Sequence, residues 1–159
     1  ETMRFFIDTT QSMSQSVLIK NKDNSFSCFN NGSNWDFQVK IEPFAVLIFN
    51  ISSNSKQCIG IEGCVKLSKK ITLKKIEVTN VITGRLYIDD ENINPDCFGK
   101  EYLIKNAKKV KGIEYYDLSQ NLYGFGDIEA DLPIYQFAVN QYVKIDEDGK
   151  LVAIYLKFN

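Results

Sequence analysis

The stretch PIYQFAVNQYVKIDEDGKLVAIYLKF, residues 133–158, carries the clearest secondary-structure pattern of the chain. Two runs rich in β-branched and aromatic residues flank Asp148-Gly149, a pair typical of a two-residue type I′ hairpin turn, in which both central residues take a positive φ. Such a turn places Glu147 opposite Lys150. Apolar faces then meet across the hairpin, with Ile145 opposite Val152, Val143 opposite Ile154 and Tyr142 opposite Tyr155. The stretch therefore predicts an antiparallel sheet.

Short extended runs with turn signals between them recur along the rest of the chain. The clearest are residues 4–8, which are apolar, and residues 35–41, which alternate between apolar and polar side chains. Residues 44–49 are apolar on both faces, which is typical of a central strand. The pattern predicts a mainly β protein, a single-domain antiparallel β-sandwich or barrel-like sheet.

One short helix is predicted within residues 89–112. Asn94 suits the cap position, and Pro95 suits the first helical position, where its missing N–H costs nothing. Several lysines follow near the far end, where the helix dipole favours positive charge. We therefore expect one helix beside the sheets.

Length and composition are those of one globular domain over residues 1–159. Hydrophobic residues make up 44% of the chain and charged residues 25%. No apolar run approaches the roughly 20 residues that span a bilayer, so we expect no membrane partner. We interpret Glu1 and Thr2 as a cloning remnant and Met3 as the native start, which favours a cytoplasmic protein; a mature secreted protein stays open.

The chemistry-bearing residues point away from catalysis. The chain has no histidine, which removes the commonest general acid–base and the imidazole metal ligand. Cys28, Cys58, Cys64 and Cys97 are scattered without the paired short spacings of a zinc site or of a disulfide framework, and we expect free thiols. We therefore predict no enzyme, no catalytic residues, no metal and no cofactor.

A lysine cluster occupies the middle of the chain, with Lys66, Lys69, Lys70, Lys74 and Lys75. Nucleic-acid binding is one interpretation. Only Arg4 and Arg85 supply guanidinium groups, however, and these are the preferred readers of phosphates and bases. Lysines at a strand edge also prevent edge-to-edge aggregation, and we favour that role and expect no nucleic-acid partner.

Residues 112–149 carry eight carboxylates, against Lys144 as their only base. Residues 118–131 lack periodicity and contain Gly124-Phe125-Gly126, which favours a long surface loop. Acids interleaved with aromatics suit a basic protein partner, although a solvated face with core tyrosines is the alternative. The candidate partner-binding residues are Glu114, Tyr115, Tyr116, Asp117, Tyr123, Phe125, Asp127, Glu129 and Asp131.

With its acidic aromatic segment and the C-terminal hairpin of residues 142–155, the chain resembles the immunity proteins of bacterial toxin–immunity pairs, such as those of contact-dependent growth inhibition. These are small cytosolic β-rich domains without catalytic residues. The resemblance implies tight binding and neutralisation of one cognate protein toxin, often a nuclease with a basic active site. It assigns no individual functional residue.

Two alternatives remain open at this point. An extracellular carbohydrate- or ligand-binding β-sandwich would use Trp35 and surface tyrosines as stacking platforms and would need a Cys58–Cys64 disulfide. An enzyme would have to rely on Tyr, Lys and carboxylates. Titration of thiols under denaturing, non-reducing conditions separates the first alternative from the cytosolic inhibitor, because the inhibitor has four free thiols.

Overall fold

The structure is a computed structural model that describes residues 4–23, 25–29, 37–41, 47–65, 71–89, 101–104 and 113–158. Its strands in chain order are β1 Arg4–Asp8, β2 Val17–Lys20, β3 Ser25–Phe29, β4 Phe37–Ile41, β5 Leu47–Ile51, β6 Cys58–Cys64, β7 Thr72–Leu73, β8 Ile82–Thr83, β9 Arg85–Asp89, β10 Glu101–Ile104, β11 Glu114–Asp117, β12 Leu122–Gly126, β13 Tyr135–Ala138, β14 Gln141–Ile145 and β15 Leu151–Lys157.

The strands form two large sheets and one ribbon. The six-stranded sheet has the order β10-β4-β5-β6-β3-β2, the seven-stranded sheet has the order β7-β11-β12-β15-β14-β13-β8, and β1 pairs with β9. Nine of the twelve pairs of described strands are antiparallel; three pairs at sheet edges, β10/β4, β11/β7 and β13/β8, are parallel. The prediction of a mainly β, antiparallel, sandwich-like protein is confirmed, and the described strands close no barrel.

The core lies between the two large sheets. Phe49 and Ile61 of the six-stranded sheet and Phe125, Phe137 and Ile154 of the seven-stranded sheet are all fully buried in one cluster. A buried amide also joins the sheets, because Oε1 of Gln141 accepts a hydrogen bond from the backbone N–H of Ile61 at 2.7 Å. These contacts fix the inner face of each sheet, so any binding surface must lie on an outer face or an edge.

The predicted helix is not seen. Most of residues 89–112, including Asn94 and Pro95, lie outside the described residues. Residues 101–104 are described, and they form β10, which runs parallel to β4 with Tyr102 opposite Val39. Strand pairing therefore replaces helix at these four positions, and the described residues contain no helix.

The C-terminal hairpin is present, but its turn differs from the prediction. Val143 pairs with Ile154 and Tyr142 with Tyr155, as predicted. The register then shifts, so Ile145 faces Leu151 instead of Val152. Within the hairpin loop only Gly149 has a positive φ, of 76°, which rules out the two-residue type I′ turn.

The carboxylate of Asp146 explains the turn that forms instead. The backbone N–H of Gly149 donates to the carbonyl oxygen of Asp146 at 3.0 Å, as in a type I turn over residues 146–149. Oδ1 of Asp146 also accepts from the N–H groups of Asp148 at 2.9 Å and Lys150 at 2.8 Å. The loop thus has three residues and ends on a glycine with positive φ, an arrangement that adds a bulge to one strand.

The apolar run of residues 44–49 contributes to an interior strand. β5 begins at Leu47 and lies between β4 and β6, so the expected central position is confirmed. Residues 42–46 lie outside the described residues. Leu47, Phe49 and Ile51 share one face of β5 and are fully buried in the core, whereas Asn50 lies on the other face, where its Oδ1 accepts a hydrogen bond from Gln38 Nε2 at 3.0 Å.

Candidate protein-binding surface

Two irregular segments cover the outer face of the seven-stranded sheet. The crossing segment, residues 74–81, joins β7 at one sheet edge to β8 at the other. The acidic segment, residues 127–134, joins β12 to β13. A second apolar cluster lies beneath them, made of Ile76, Leu122, Ile134, Ala153 and Tyr155. Both segments are therefore anchored to the sheet by apolar side chains.

The crossing segment spans the whole width of the seven-stranded sheet. Its ends lie on the outermost two of seven strands, and six spacings of about 4.8 Å separate them by about 29 Å. The nine residue steps from Leu73 to Ile82 reach about 30 Å at 3.3 Å per residue. Ile76 packs midway, where its Cδ1 would lie 3.2 Å from a Cβ added to Gly124. The segment therefore has little slack.

An open groove of about 960 Å³ runs between the two segments. Lys74, Lys75 and Glu77 contribute to one wall, and Glu129 and Asp131 to the other. Lys74 and Glu129 form an ion pair that connects the walls. The groove is therefore lined by charges of both signs, with the carboxylates of the acidic segment on one side.

Asp117, a predicted contact residue, has a structural role instead. It is buried, and its carboxylate accepts hydrogen bonds from Ser119 Oγ at 2.6 Å, from the Ile76 N–H at 2.9 Å and from Gln120 Nε2 at 2.7 Å. These donors hold the pKa of Asp117 well below its usual range, with the Ser119 hydroxyl the largest cause. Asp117 thus fastens the crossing segment to the turn after β11.

Three predicted contact aromatics belong to the core. Tyr123 and Phe125 are fully buried in β12, and Tyr116 is buried in β11. The hydroxyl of Tyr123 donates to Oε2 of Glu114 at 2.8 Å, and burial, followed by the charge of Glu114, raises the pKa of Tyr123. Here the alternative interpretation of core tyrosines fits the structure, and direct contact between these three side chains and a partner would require the sheet to open.

The predicted long surface loop over residues 118–131 is wrong. Residues 122–126 form β12, an interior strand between β11 and β15, so Gly124-Phe125-Gly126 is part of the sheet. Gly124 is closely packed there, because an added Cβ would meet Ile128 Cγ2 at 3.1 Å and Ile76 Cδ1 at 3.2 Å, and these side chains would have to shift. The turn at residues 118–121 and the acidic segment are the irregular parts.

The exposed acids of residues 112–149 gather at one end of the seven-stranded sheet. Gly126 pairs with Ala153, and the Asp127 N–H donates to the Val152 carbonyl at 3.0 Å. Gly149, the last residue of the hairpin turn, precedes Val152 by three residues, so the turn lies beside the start of the acidic segment. We call the resulting set the carboxylate cluster; it consists of Asp127, Glu129, Asp131, Asp146, Glu147 and Asp148.

Glu129, Asp131, Glu147 and Asp148 are exposed, whereas Asp127 and Asp146 are half-buried. Cations also lie near the carboxylate cluster: Lys144 is buried below the acidic segment, Lys74 pairs with Glu129, Arg4 lies beside the hairpin turn, and Lys150 directly follows that turn with a buried ammonium. The surface therefore stays net negative.

Of the nine predicted contact residues, Asp127, Glu129 and Asp131 lie in the carboxylate cluster, and Tyr115 is half-buried on the same outer face, with the Lys74 ammonium 5.6 Å from its ring centroid. The prediction missed Asp146, Glu147 and Asp148 as members. Their acidity was visible in the sequence, and the hairpin register was the signal that could have placed them beside Asp127.

Several other expectations can be compared with the described residues. Lys74 and Lys75 are exposed and directly follow β7, an edge strand of two residues, where lysines protect an edge; residues 66–70 are not described. Among the described residues no group of His, Cys, Asp or Glu is arranged to hold a metal ion, and no helix there could span a membrane.

The cysteine geometry bears on the extracellular alternative. Cys58 and Cys64 are free thiols at opposite ends of β6, about 20 Å apart at 3.3 Å per residue. A disulfide needs Cα atoms within about 7 Å, so this fold excludes that bond. Cys58 is buried, which raises the pKa of its thiol. Trp35, the stacking platform of that alternative, lies outside the described residues.

Comparison of the chain with protein-family models, with curated proteins and with solved structures gives no match.

Proposed function

We propose that this protein is a non-catalytic protein-binding module, an immunity protein that binds and neutralises a cognate toxin with a basic surface, such as a nuclease. The observation that carries the proposal is the carboxylate cluster, in which two segments distant in sequence bring six acids to one end of a sheet. Like charges placed together cost stability, so their collection at one exposed end favours a role in recognition.

The groove beside the carboxylate cluster also supports the proposal that this face binds a protein. It gives a partner a concave wall with apolar side chains, Ile128, Leu132 and Ile134, next to exposed carboxylates. Apolar contacts supply the binding energy in such an interface, while surrounding charges steer the encounter and select the partner. A basic protein that inserts a loop into the groove would place its cations against Asp131 and Glu129.

The proposed test starts from the source cell. The tagged protein is used to capture its partner, and the captured protein is then purified and assayed for toxicity and for nuclease activity with and without the tagged protein. The proposal expects a basic protein whose toxic activity is lost in a stoichiometric complex. A captured protein that keeps full activity in the complex would contradict neutralisation.

A variant with fewer charges tests whether capture of the partner depends on the carboxylate cluster or is nonspecific. The variant Asp127→Asn/Glu129→Gln/Asp131→Asn removes three charges from the cluster. Glu77→Gln on the opposite groove wall is the matched control, because Glu77 is exposed and acidic but lies outside the cluster. Weaker capture by the triple variant at low ionic strength, with full capture by the control, is the expected outcome; equal capture would place the interface elsewhere.

A further inference from the structure

The buried Lys144 is connected to the acidic segment rather than to a carboxylate partner. It lies on β14 and is only 6% exposed. Its Nζ donates to the carbonyl oxygens of Ile128 and Ala130, both at 2.8 Å, and lies 5.7 Å from the ring centroid of Tyr155. Two of its three N–H donors are therefore used by the backbone of the segment above it.

Burial of an ammonium is costly unless its environment compensates. Burial lowers the pKa of Lys144, while the charges of Asp127, Glu129 and Asp131 oppose that shift. The three acids that favour the charged form are those that the segment presents to solvent. The ammonium and the acidic segment thus stabilise each other.

Apart from the Lys74–Glu129 ion pair and the packing of Ile128 over Gly124, few other contacts fix the middle of the acidic segment. At its ends, the Asp127 N–H bonds to Val152 and the Ile134 carbonyl accepts from Ile82. Between them, the hydrogen bonds of the described residues that reach the sheet come from Lys144 and from the Tyr155 hydroxyl, which donates to the Ile128 carbonyl at 3.2 Å. Without Lys144, the Ala130 carbonyl would lose its bond to the sheet.

We infer that Lys144 is a positioning residue, which holds the acidic segment in one conformation on the sheet so that Asp127, Glu129 and Asp131 are presented together. The link to recognition rests on the proposed function; the ordering of the segment does not. A segment ordered before the encounter loses less conformational entropy on binding, and this favours fast and tight association.

Hydrogen exchange of the free, full-length protein tests the ordering directly. Lys144→Met keeps a side chain of similar length and removes the ammonium. Amide exchange over residues 128–132 should become at least about tenfold faster, while exchange in β5 and β6 stays unchanged. Lys157→Met is the matched control, because Lys157 is half-buried on β15 and its side chain makes no hydrogen bond to the described residues of the segment; it should leave exchange over residues 128–132 unchanged.

A milder variant is used if Lys144→Met does not fold. Tyr155→Phe removes only the hydroxyl that bonds to the Ile128 carbonyl and should accelerate exchange there about threefold. In a folded Lys144→Met protein, or failing that in Tyr155→Phe, exchange over residues 128–132 within twofold of wild type would overturn the inference.

The partner captured in the test above supplies the second readout. Lys144→Met should slow association with that protein, although no surface charge has been removed from the segment. Faster exchange combined with unchanged association would show a purely structural lysine and would overturn the positioning role. Failure to capture any toxin would defeat the proposed function, whereas the exchange experiment would still decide whether Lys144 orders the segment.

Discussion

The backbone N–H of Phe5 donates to the carbonyl oxygen of Gly149 across 2.7 Å, which joins the first strand to the C-terminal hairpin turn. Gly149 can make this contact because it has no side chain. An added Cβ would lie 2.9 Å from the Phe5 carbonyl oxygen and 3.1 Å from the Arg4 Cβ. The turn and the β1–β9 ribbon are therefore held together at one glycine.

Gly149→Val should destabilise the fold more than Lys150→Val. A β-branched residue at a φ of +76° is strained, and the contact with Phe5 adds to a loss that we expect to exceed about 2 kcal/mol. The Lys150 ammonium is buried without a hydrogen-bond partner among the described residues, so its removal leaves no acceptor unpaired. Urea denaturation measures both variants, and equal midpoints would contradict the turn described here.

The length of the crossing segment gives a second prediction. Deletion of Thr79, which is exposed, should pull β7 or β8 away from its sheet edge, because the remaining chain reaches only about 26 Å at 3.3 Å per residue. Hydrogen exchange in β8 should rise to the level of an open loop. Insertion of one glycine after Thr79 is the control and should leave β8 protected; equal protection in the deletion variant would show that the segment has slack.

We expect the Asp117 carboxylate to make the free energy of unfolding depend on pH. Its folded-state pKa lies below the unfolded value, so its contribution is fully present above the unfolded pKa of about 3.9 and is lost as the pH falls through the folded pKa. Asp117→Asn should lower the urea midpoint at pH 7 and weaken the further loss between pH 4 and pH 2. The control is Asp131→Asn, at an exposed carboxylate. Identical acid sensitivity of Asp117→Asn and wild type would contradict this role.

Much of the strand layout could be predicted because apolar side chains alternate along half-buried strands. The predicted extended run at residues 4–8 matches β1, and the pairs Val143/Ile154 and Tyr142/Tyr155 are confirmed. The predicted type of turn was wrong because Asp148-Gly149 fits both a two-residue and a three-residue loop. The carboxylate of Asp146 makes the difference, since it bonds to the Lys150 N–H.

The candidate site was harder to predict, because contacts between residues far apart in the sequence decide which of its acids and aromatics are buried and which are exposed. Asp117 and Asp127 are equally acidic in the sequence, but Asp117 accepts a bond from Ile76, which is 41 residues away, and is buried. Tyr123 was predicted to be exposed because the glycines on either side of Phe125 were interpreted as loop residues. Gly124 is instead a strand position over which Ile76 and Ile128 pack.

We therefore expect substitutions of Tyr123 to lower the stability of the fold. Tyr123→Ala removes a fully buried side chain and should cost about 3–5 kcal/mol, enough to unfold a marginal domain. Tyr123→Phe keeps the ring, loses the bond to Glu114, and should cost about 1 kcal/mol. Thermal denaturation compares the two, and a folded Tyr123→Ala protein of near wild-type stability would show that the ring is not part of the core.

The most direct test of the account is the rate at which the captured toxin associates with the Asp127→Asn/Glu129→Gln/Asp131→Asn variant. Charge steering predicts association about tenfold slower than wild type at low ionic strength, with the difference shrinking as salt rises to physiological levels. Glu129 and Asp131 are exposed, and exposed substitutions usually stay within about 0.5 kcal/mol each. Because the three acids also stabilise the buried Lys144 ammonium, urea denaturation of the variant accompanies the rate measurement. Glu77→Gln should associate with a rate much closer to that of wild type. An unchanged rate in the folded triple variant would contradict the claim that the carboxylate cluster is the binding surface.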